Sequence, residues 1–407
     1  MGSVNTASGF FIRNRSVFAM GLLALIIAAT ADLFAGIFLT TMEDYILLIP
    51  GMMILIYSAI GMRGNIFGAM GSRLGTAMHM GTFQMSFKKG GVLRSNIESA
   101  MALTMSISLI MGLVGWTVVE VLFGGGISIV SFTFISLMGG LLAGLIVVAF
   151  NIIIAHEGFR RNWNVDDITA PLIAAAGDIF TVPMIFLATW MVIYLNSNVI
   201  CILCIVLIIL TAAIIANILL RKTKRKGRKD EAKRIVAQST PVLIACLFLE
   251  IAAGMIIETQ TEQMVQYAVL LVLLPAFLNE GNALSGMLTS RLSSMLHLGT
   301  LESRMIPPKE ASENFGVIYI LSFVTFAFIG AAAFALHPYD LGFGTVMLMI
   351  VVAGFLTTTV INFLSYYVAI AAIRFNLDPD DHSIPITSSI MDVVGTAILV
   401  SIIALTI

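Results

Sequence analysis

The chain has 407 residues, of which 59% are hydrophobic and 11% charged, with a mean hydropathy of +1.01 and a formal net charge of -1. Soluble domains carry about a quarter of their residues as charged side chains, so this composition excludes an ordinary soluble enzyme or binding protein. The near-zero net charge gives no indication of a partner.

Eleven apolar segments follow one another along the chain, and each reaches the length of about 20 residues that a helix needs to cross a bilayer. Their predicted limits are 17–41, 45–80, 96–123, 127–156, 167–195, 199–220, 238–258, 264–298, 313–337, 341–373 and 382–406. The second, fourth, eighth and tenth exceed one simple crossing, so we expect them to tilt, kink near glycines or project from the membrane. The predicted fold is an all-α integral membrane protein with eleven helices in the lipid bilayer.

The Lys and Arg residues outside these segments all fall in the N-terminal tail or in even-numbered loops, and none falls in an odd-numbered loop. Under the positive-inside rule, the tail and the even loops face the cytoplasm and the C-terminus faces outward. We therefore expect a multi-pass protein of the plasma membrane. The basic loop "RKTKRKGRKDEAKR" is expected to contact anionic lipid and not nucleic acid.

The chain contains an internal repeat. The stretch "DLFAG" (32–36) returns as "EIAAG" (250–254). The stretch "GNIFGAMGSRLGTAMHMGT" (64–82) returns as "GNALSGMLTSRLSSMLHLGT" (281–300), with one extra residue. The matches keep the same order, so each half of the chain holds one copy of a five-helix unit.

Five is an odd number of crossings, so two such units joined directly would be inverted. The sixth segment has no counterpart and adds one crossing, which makes the repeats parallel and relates them by a pseudo-two-fold axis along the membrane normal. The predicted division is a tail at 1–16, a first repeat at 17–195, a spacer helix with its basic loop at 196–237, and a second repeat at 238–407. Equivalent residues of both repeats can meet on this axis.

A third match places an acidic residue inside the fifth helix of each repeat. "DDITAPLIAAAGD" ends on Asp178 and "DDHSIPITSSIMD" ends on Asp392, each eleven residues after Asp167 or Asp381. At about 1.5 Å per residue the two carboxylates lie roughly 16 Å deep, near the bilayer midplane. A carboxylate at that depth is costly and usually faces a wet cavity or a partner.

Two carboxylates on a symmetry axis repel each other unless a cation lies between them or one is protonated. The nearby hydroxyls of Thr387, Ser388 and Ser389 add further oxygens, which favours a hard cation such as Mg2+ or Ca2+. Because Mg2+ dehydrates reluctantly, we expect contact through its water shell. The alternative is a neutral, hydrogen-bonded aspartate that holds helices together.

Other acidic residues leave two interpretations open. Asp32 and Glu250 lie at matched, deep positions in the first helix of each repeat, where they form a second cation or coupling site, or else structural hydrogen bonds. Asp167 and Asp381 lie at helix starts, where they cap the helix or form a vestibule for the ion.

Opposite charges precede the two Gly-Asn pairs, as Arg63 before Gly64-Asn65 and Glu280 before Gly281-Asn282. An unpaired charge near the membrane interior is costly. We therefore expect Arg63 and Glu280 to face each other across the axis as an ion pair.

The pattern resembles the MgtE and solute carrier family 41 group of magnesium transporters. The resemblance covers about 17–407 apart from the spacer, and rests on the Gly-Asn helix ("GMRGN", "LNEGN") and on the fifth helix ("NVDDITAPLIAAAGD", "LDPDDHSIPITSSIMD"). The second fifth-helix copy is closer to the usual family form than the first. We expect a fused two-unit member without cytoplasmic regulatory domains, because only 16 residues precede the first segment.

The resemblance implies an ion path lined by the second and fifth helices. It places Asp178 and Asp392 at the metal site, with Asn65 and Asn282 beside them. Fusion of two units in one chain is compatible with a monomer that acts as an internal pseudo-dimer.

The predicted function is transport of a divalent cation, Mg2+ first, through a path between the repeats. A channel and an exchanger coupled to Na+ or H+ both remain open. An enzyme is disfavoured, because the segments contain no HExxH, GxSxG or paired catalytic residues. A non-transporting scaffold or sensor is the alternative from another class, although a scaffold has no need of matched midplane carboxylates.

Overall fold

The computed structural model describes residues 17–88, 90–161, 165–221, 230–338, 341–374 and 384–407. A π-helical turn at Val17–Gly21 leads into thirteen α-helices, and these ranges contain no β-strand. In chain order the helices are α1 (Leu22–Thr40), α2 (Glu43–Leu48), α3 (Met52–His79), α4 (Val92–Leu122), α5 (Ile129–Arg161), α6 (Val165–Tyr194), α7 (Ser197–Leu219), α8 (Glu231–Glu258), α9 (Thr261–Gln266), α10 (Ala268–His297), α11 (Lys309–Leu336), α12 (Phe343–Arg374) and α13 (Ile384–Thr406).

Eleven helices in the described part of the chain are long and apolar enough to cross a membrane, which confirms the predicted number of spans. The long second and eighth segments each divide into a short helix and a long one, α2 with α3 and α9 with α10. In the first repeat the break falls at Gly51, whose φ of 83° suits glycine and whose Cβ would overlap the side chain of Val119. In the second repeat Tyr267 makes the break in an extended conformation.

The two repeats have the same order of helices, so each of α1–α6 has its counterpart seven helices later. The first helix of each repeat packs along the long second helix of the other repeat, α1 along α10 and α8 along α3. Glycines allow both crossings. A Cβ on Gly36 would overlap the backbone carbonyl of Val272, and one on Gly254 would lie 2.7 Å from Cα of Ile54.

These two crossings are equivalent, because the same sequence offset separates Gly36 from Gly254 and Ile54 from Val272. Small residues at a crossing let two backbones approach and gain dispersion energy, which drives helix association in lipid. The predicted parallel, pseudo-two-fold arrangement is confirmed. The repeats are also interlocked, because each gives its first helix to the other.

The fifth-helix elements α6 and α13 pack against the first and second long helices of their own repeat. The interface between repeats is therefore enclosed by α1, α3, α6, α8, α10 and α13. The spacer α7 packs against α4 and α5 on the outside of the first repeat. Only 22% of the residues in its most apolar 18-residue stretch are buried. The side of the membrane that each loop faces stays a prediction.

Candidate functional site

Four acidic side chains lie inside the interface between the repeats. Asp32 and Glu250 come from the first helices, α1 and α8, and Asp178 and Asp392 come from the fifth helices, α6 and α13. Each of them is at most 5% exposed. They meet as two pairs within the repeats, since Asp32 lies within hydrogen-bonding reach of Asp178, and Glu250 within reach of Asp392.

The pair of the first repeat is completed by an amide from the second. Nδ2 of Asn279, on α10, donates to Oδ2 of Asp32 at 2.7 Å. The other oxygen of Asp32, Oδ1, has no hydrogen-bond partner, and neither has Oδ2 of Asp178. In this pair, Oδ2 of Asp32 is therefore satisfied by a hydrogen bond from Asn279, whereas Oδ1 of Asp32 and Oδ2 of Asp178 are not satisfied.

The pair of the second repeat has a larger polar network. Oε1 of Glu250 accepts from Oγ of Ser389 at 2.7 Å and from Nδ2 of Asn65 at 3.4 Å, and Asn65 also donates to Oγ of Ser389 at 2.9 Å. Nδ2 of Asn282 donates to Oδ1 of Asp392 at 2.9 Å. Asn65 thus reaches this pair from the first repeat, as Asn279 reaches the other pair from the second.

The first-helix acids of the two pairs differ in length, and the residues that face them differ in size in the opposite sense. Asn279 lies against Asp32 as Gly61 lies against Glu250, at the offset that also relates these two acids and one residue out of step with the Gly-Asn motifs. The shorter acid, Asp32, faces the larger Asn279, whereas the longer Glu250 faces Gly61, where any Cβ would overlap its carboxylate. Each position is filled, but the longer acid extends far enough to reach Asn65 and Ser389.

This compensation predicts a rescue. Asp32→Glu is expected to lower the free energy of unfolding by about 1–3 kcal/mol, the usual cost of overpacking, because Asn279 occupies the space that the added methylene needs. Adding Asn279→Gly recreates the Glu–Gly arrangement of the second repeat and should recover most of the loss. Thermal unfolding of both single variants and the double variant measures this. Equal stability of Asp32→Glu with and without Asn279→Gly would contradict the size argument.

The two pairs share one electrostatic environment, since the charge of Asp392 acts on Asp178. Four buried polar oxygens of the site have no hydrogen-bond partner, namely Oδ1 of Asp32, Oδ2 of Asp178, Oδ2 of Asp392 and Oδ1 of Asn282. Several carboxylates in one buried interface cannot all ionise unless a cation joins them. Oxygen-only donors of this kind suit a hard divalent cation.

The remaining predicted site residues fall into three groups. Ser389 belongs to the network described above. Thr387 is buried on the same helix and Ser388 is half-buried. The side chain of Asp167 and the whole of Asp381 lie outside the described residues, so their predicted roles stay predictions.

Sequence reasoning missed Asn279. The signal was present in "LNEGN", where Asn279 precedes Asn282 by three residues and therefore lies on the same helix face. It was overlooked because the repeat offers no matching asparagine in the first copy.

The predicted ion pair between Arg63 and Glu280 is wrong. Neither carboxylate oxygen of Glu280 has a hydrogen-bond partner, and neither have Nε and Nη2 of Arg63. The guanidinium of Arg63 lies beside Gly140 on α5, and Glu280 lies beside Thr325 on α11. Each side chain points into its own repeat, because the helix rotation that aims the asparagines at the interface turns these preceding residues away from it.

Comparison with known proteins identifies the family. Among solved structures, the fold is similar to the eukaryotic MATE transporter AtDTX14, with a TM-score of 0.42 and 11% sequence identity over 98% of this chain and 97% of that chain. No curated protein matches the sequence. The family profile of MgtE, a divalent cation transporter, matches residues 56–188 and 274–402, one segment in each repeat and together more than half of the chain. The chain belongs to the MgtE family of divalent cation transporters.

Proposed function

We propose that this protein carries Mg2+ across the membrane along a path between its two repeats, and that Asp178 and Asp392 bind the ion. Membership of a divalent cation transporter family supports the class of ion. The observation that carries the proposal is the set of four unpartnered oxygen atoms in the buried interface.

Burial supports an ion at this place. A polar group taken out of water without a hydrogen bond costs free energy, and an unpaired buried carboxylate costs more. One divalent cation offsets the charge of Asp178 and Asp392 together and supplies a partner for the oxygen that each leaves open. The adjacent acids Asp32 and Glu250 add negative potential to the same interface.

The arrangement supports a hydrated ion. Among the described residues no group of three or more His, Cys, Asp or Glu side chains is placed to hold a metal ion directly. Mg2+ commonly keeps several of its waters and contacts only one or two carboxylates. Water-mediated contact therefore fits two separate carboxyl pairs better than a closed cage does.

The alternative functions have less support. In a scaffold, Asp32 and Asp392 would act through their hydrogen bonds to Asn279 and Asn282, yet each leaves its second oxygen without a partner. A proton shared within each carboxyl pair would satisfy these oxygens without a cation, so it is the match to a transporter family that favours the ion. The family match is to transporters and not to enzymes, and it gives no support to Na+ coupling.

The test is flux of Mg2+ into liposomes that hold the purified protein and a Mg2+-sensitive dye. We expect flux that depends on the protein and saturates with Mg2+. Hexaamminecobalt(III), which has the size of hydrated Mg2+ and does not exchange its ligands, should compete if the ion is bound through its waters. Absence of divalent flux from folded protein would overturn the proposed function. Flux that hexaamminecobalt(III) leaves unchanged would overturn only the water-mediated contact.

A further inference from the structure

Arg63 is a buried cation whose counter-charge does not come from a described side chain. It lies within the membrane-spanning helix α3 and is 2% exposed. Nε and Nη2 of its guanidinium have no hydrogen-bond partner. Among the residues that the structure describes, no ion pair includes Arg63 and no charged side chain acts on it. The protein groups around Arg63 therefore leave its charge uncompensated.

This arrangement is energetically costly. An arginine keeps its positive charge at any accessible pH, so Arg63 cannot become neutral as a buried acid can. A charge removed from water without a partner is strongly disfavoured, and charged residues inside membranes pair with other groups. Water molecules would supply dipoles but no opposite charge. The burial of Arg63 therefore indicates a negative partner that is not one of the described side chains.

Hydroxyl groups lie next to the guanidinium. Oγ of Ser108 on α4 and Nη2 of Arg63 both lie within 4 Å of the position that a Cβ on Gly140 would take. Because Gly140 has no side chain, one small ligand beside α5 can contact both groups. Thr104 lies one turn from Ser108 on the same face of α4, and its buried Oγ1 has no hydrogen-bond partner. Thr104 therefore adds a further hydroxyl to the same region.

These groups suit a small anion. Guanidinium N–H and hydroxyl O–H groups are hydrogen-bond donors, and the fixed charge of Arg63 repels a metal cation. Arg63, Ser108 and Thr104 are each at most 2% exposed. A lipid phosphate or a large organic anion would have to extend to the surface, so neither fits this place. Chloride is compact, carries a single negative charge and accepts several hydrogen bonds.

We propose that Arg63 holds a chloride ion inside the first repeat, with the hydroxyls of Ser108 and Thr104 as further donors. The site is separate from the acids at the interface between the repeats, because Arg63 points into its own repeat. In the second repeat Glu280 takes the equivalent place before the Gly-Asn pair, and an acid does not attract an anion. The protein therefore binds one chloride at this place and has no second copy of the site.

Chloride content and thermal unfolding test the site without any transport. Wild-type protein is purified in chloride and desalted into gluconate of equal ionic strength, without divalent cations. It should retain about one chloride per chain, measured by ion chromatography after denaturation, or else release it and unfold at a lower temperature than in chloride. For a released ion, the difference should be roughly 3 °C or more at saturating chloride. Neither retained chloride nor a difference in unfolding temperature would overturn the site.

Two variants assign the anion to Arg63. Arg63→Met removes the charge and nearly keeps the length, so it should retain no chloride and unfold at the same temperature in both salts. Gly140→Ala keeps the charge, but its Cβ would overlap Oγ of Ser108 and lie 3.6 Å from Nη2 of Arg63. It should also lose the anion, which keeps the test decisive if Arg63→Met folds poorly.

The control is Arg304→Met, because the side chain of Arg304 is 65% exposed and contributes only to the general surface charge. It should keep the chloride content and the chloride response of the wild type. A wild-type response from both Arg63→Met and Gly140→Ala would show that chloride acts elsewhere on the protein, and the proposal would be wrong. Loss of the response in Arg304→Met as well would reduce it to a general effect of salt and would equally overturn the site.

Discussion

Replacing both Asp178 and Asp392 by asparagine is expected to abolish Mg2+ flux while leaving the protein folded. Asparagine nearly keeps the shape of aspartate and removes its charge, so the change isolates electrostatics from packing. Without the two carboxylates, the interface loses the negative charge that offsets the dehydration and confinement of a divalent cation. Flux into dye-loaded liposomes, together with thermal unfolding of the same preparations, measures both parts of this expectation.

Each single Asp→Asn change should reduce Mg2+ flux less than the double change does, and the two single effects should differ in size. Each leaves one carboxylate, and we expect each to lower flux by roughly tenfold or more, which corresponds to about 1.4 kcal/mol of lost cation binding. Asp392 should matter more than Asp178. Its pair includes hydrogen bonds from Asn282 to Asp392 and from Ser389 to Glu250, so it offers a better organised oxygen environment.

A neutral change on the same helix supplies the control. Thr189→Val removes a buried hydroxyl that donates to the carbonyl of Ile185, within α6 and eleven residues beyond Asp178. It should leave flux close to that of the wild type. Wild-type flux from the folded double asparagine variant would reduce Asp178 and Asp392 to structural hydrogen-bonding groups, and the proposed ion path would be wrong.

The eleven spans and the two repeats could be predicted from the sequence because they depend on local properties. Segment length, hydropathy and recurrent motifs such as "DLFAG" and "EIAAG" belong to the chain itself and need no knowledge of packing. The burial of Asp32, Asp178, Glu250 and Asp392 followed from the same reasoning, since an acid inside an apolar segment needs a polar environment.

The partners of these acids could not be predicted, because they depend on which helices exchange between repeats. Two similar repeats leave undecided whether α1 packs on α3 of its own repeat or on α10 of the other. In the structure α1 packs on α10, and only this packing brings Asn279 close enough to donate a hydrogen bond to Asp32. The expected pairing of Arg63 with Glu280 failed for a related reason. A repeat tells which positions are equivalent, but not which way each helix is rotated about its own axis.

The exchange of first helices makes a second strong prediction. Gly36→Ala is expected to prevent stable folding or to lower the unfolding temperature sharply, because the new Cβ would overlap the backbone carbonyl of Val272. A backbone atom cannot rotate away as a side chain can, so α1 and α10 must separate and lose their contacts along the crossing. The cost should exceed the 1–3 kcal/mol or so that is typical of overpacking.

The equivalent change in the other repeat should behave alike. Gly254→Ala would place a Cβ 2.7 Å from Cα of Ile54 and 3.1 Å from its carbonyl oxygen. Because this approach is slightly wider than at Gly36, we expect a smaller loss of stability. The order of the two effects therefore tests the geometry of the crossings and not only their existence.

Two glycines on the same pair of long helices provide matched controls. A Cβ on Gly68 of α3 or on Gly286 of α10 would meet no atom within 4 Å. Gly68→Ala and Gly286→Ala should leave stability unchanged or raise it by up to about 1 kcal/mol, since alanine is the better helix former. Size-exclusion profiles and thermal unfolding of all four variants in detergent give the comparison. If Gly36→Ala proves as stable as Gly286→Ala, the two first helices do not cross as tightly as this interlocked arrangement requires, and the asparagine contacts to Asp32 and Glu250 lose their basis with it.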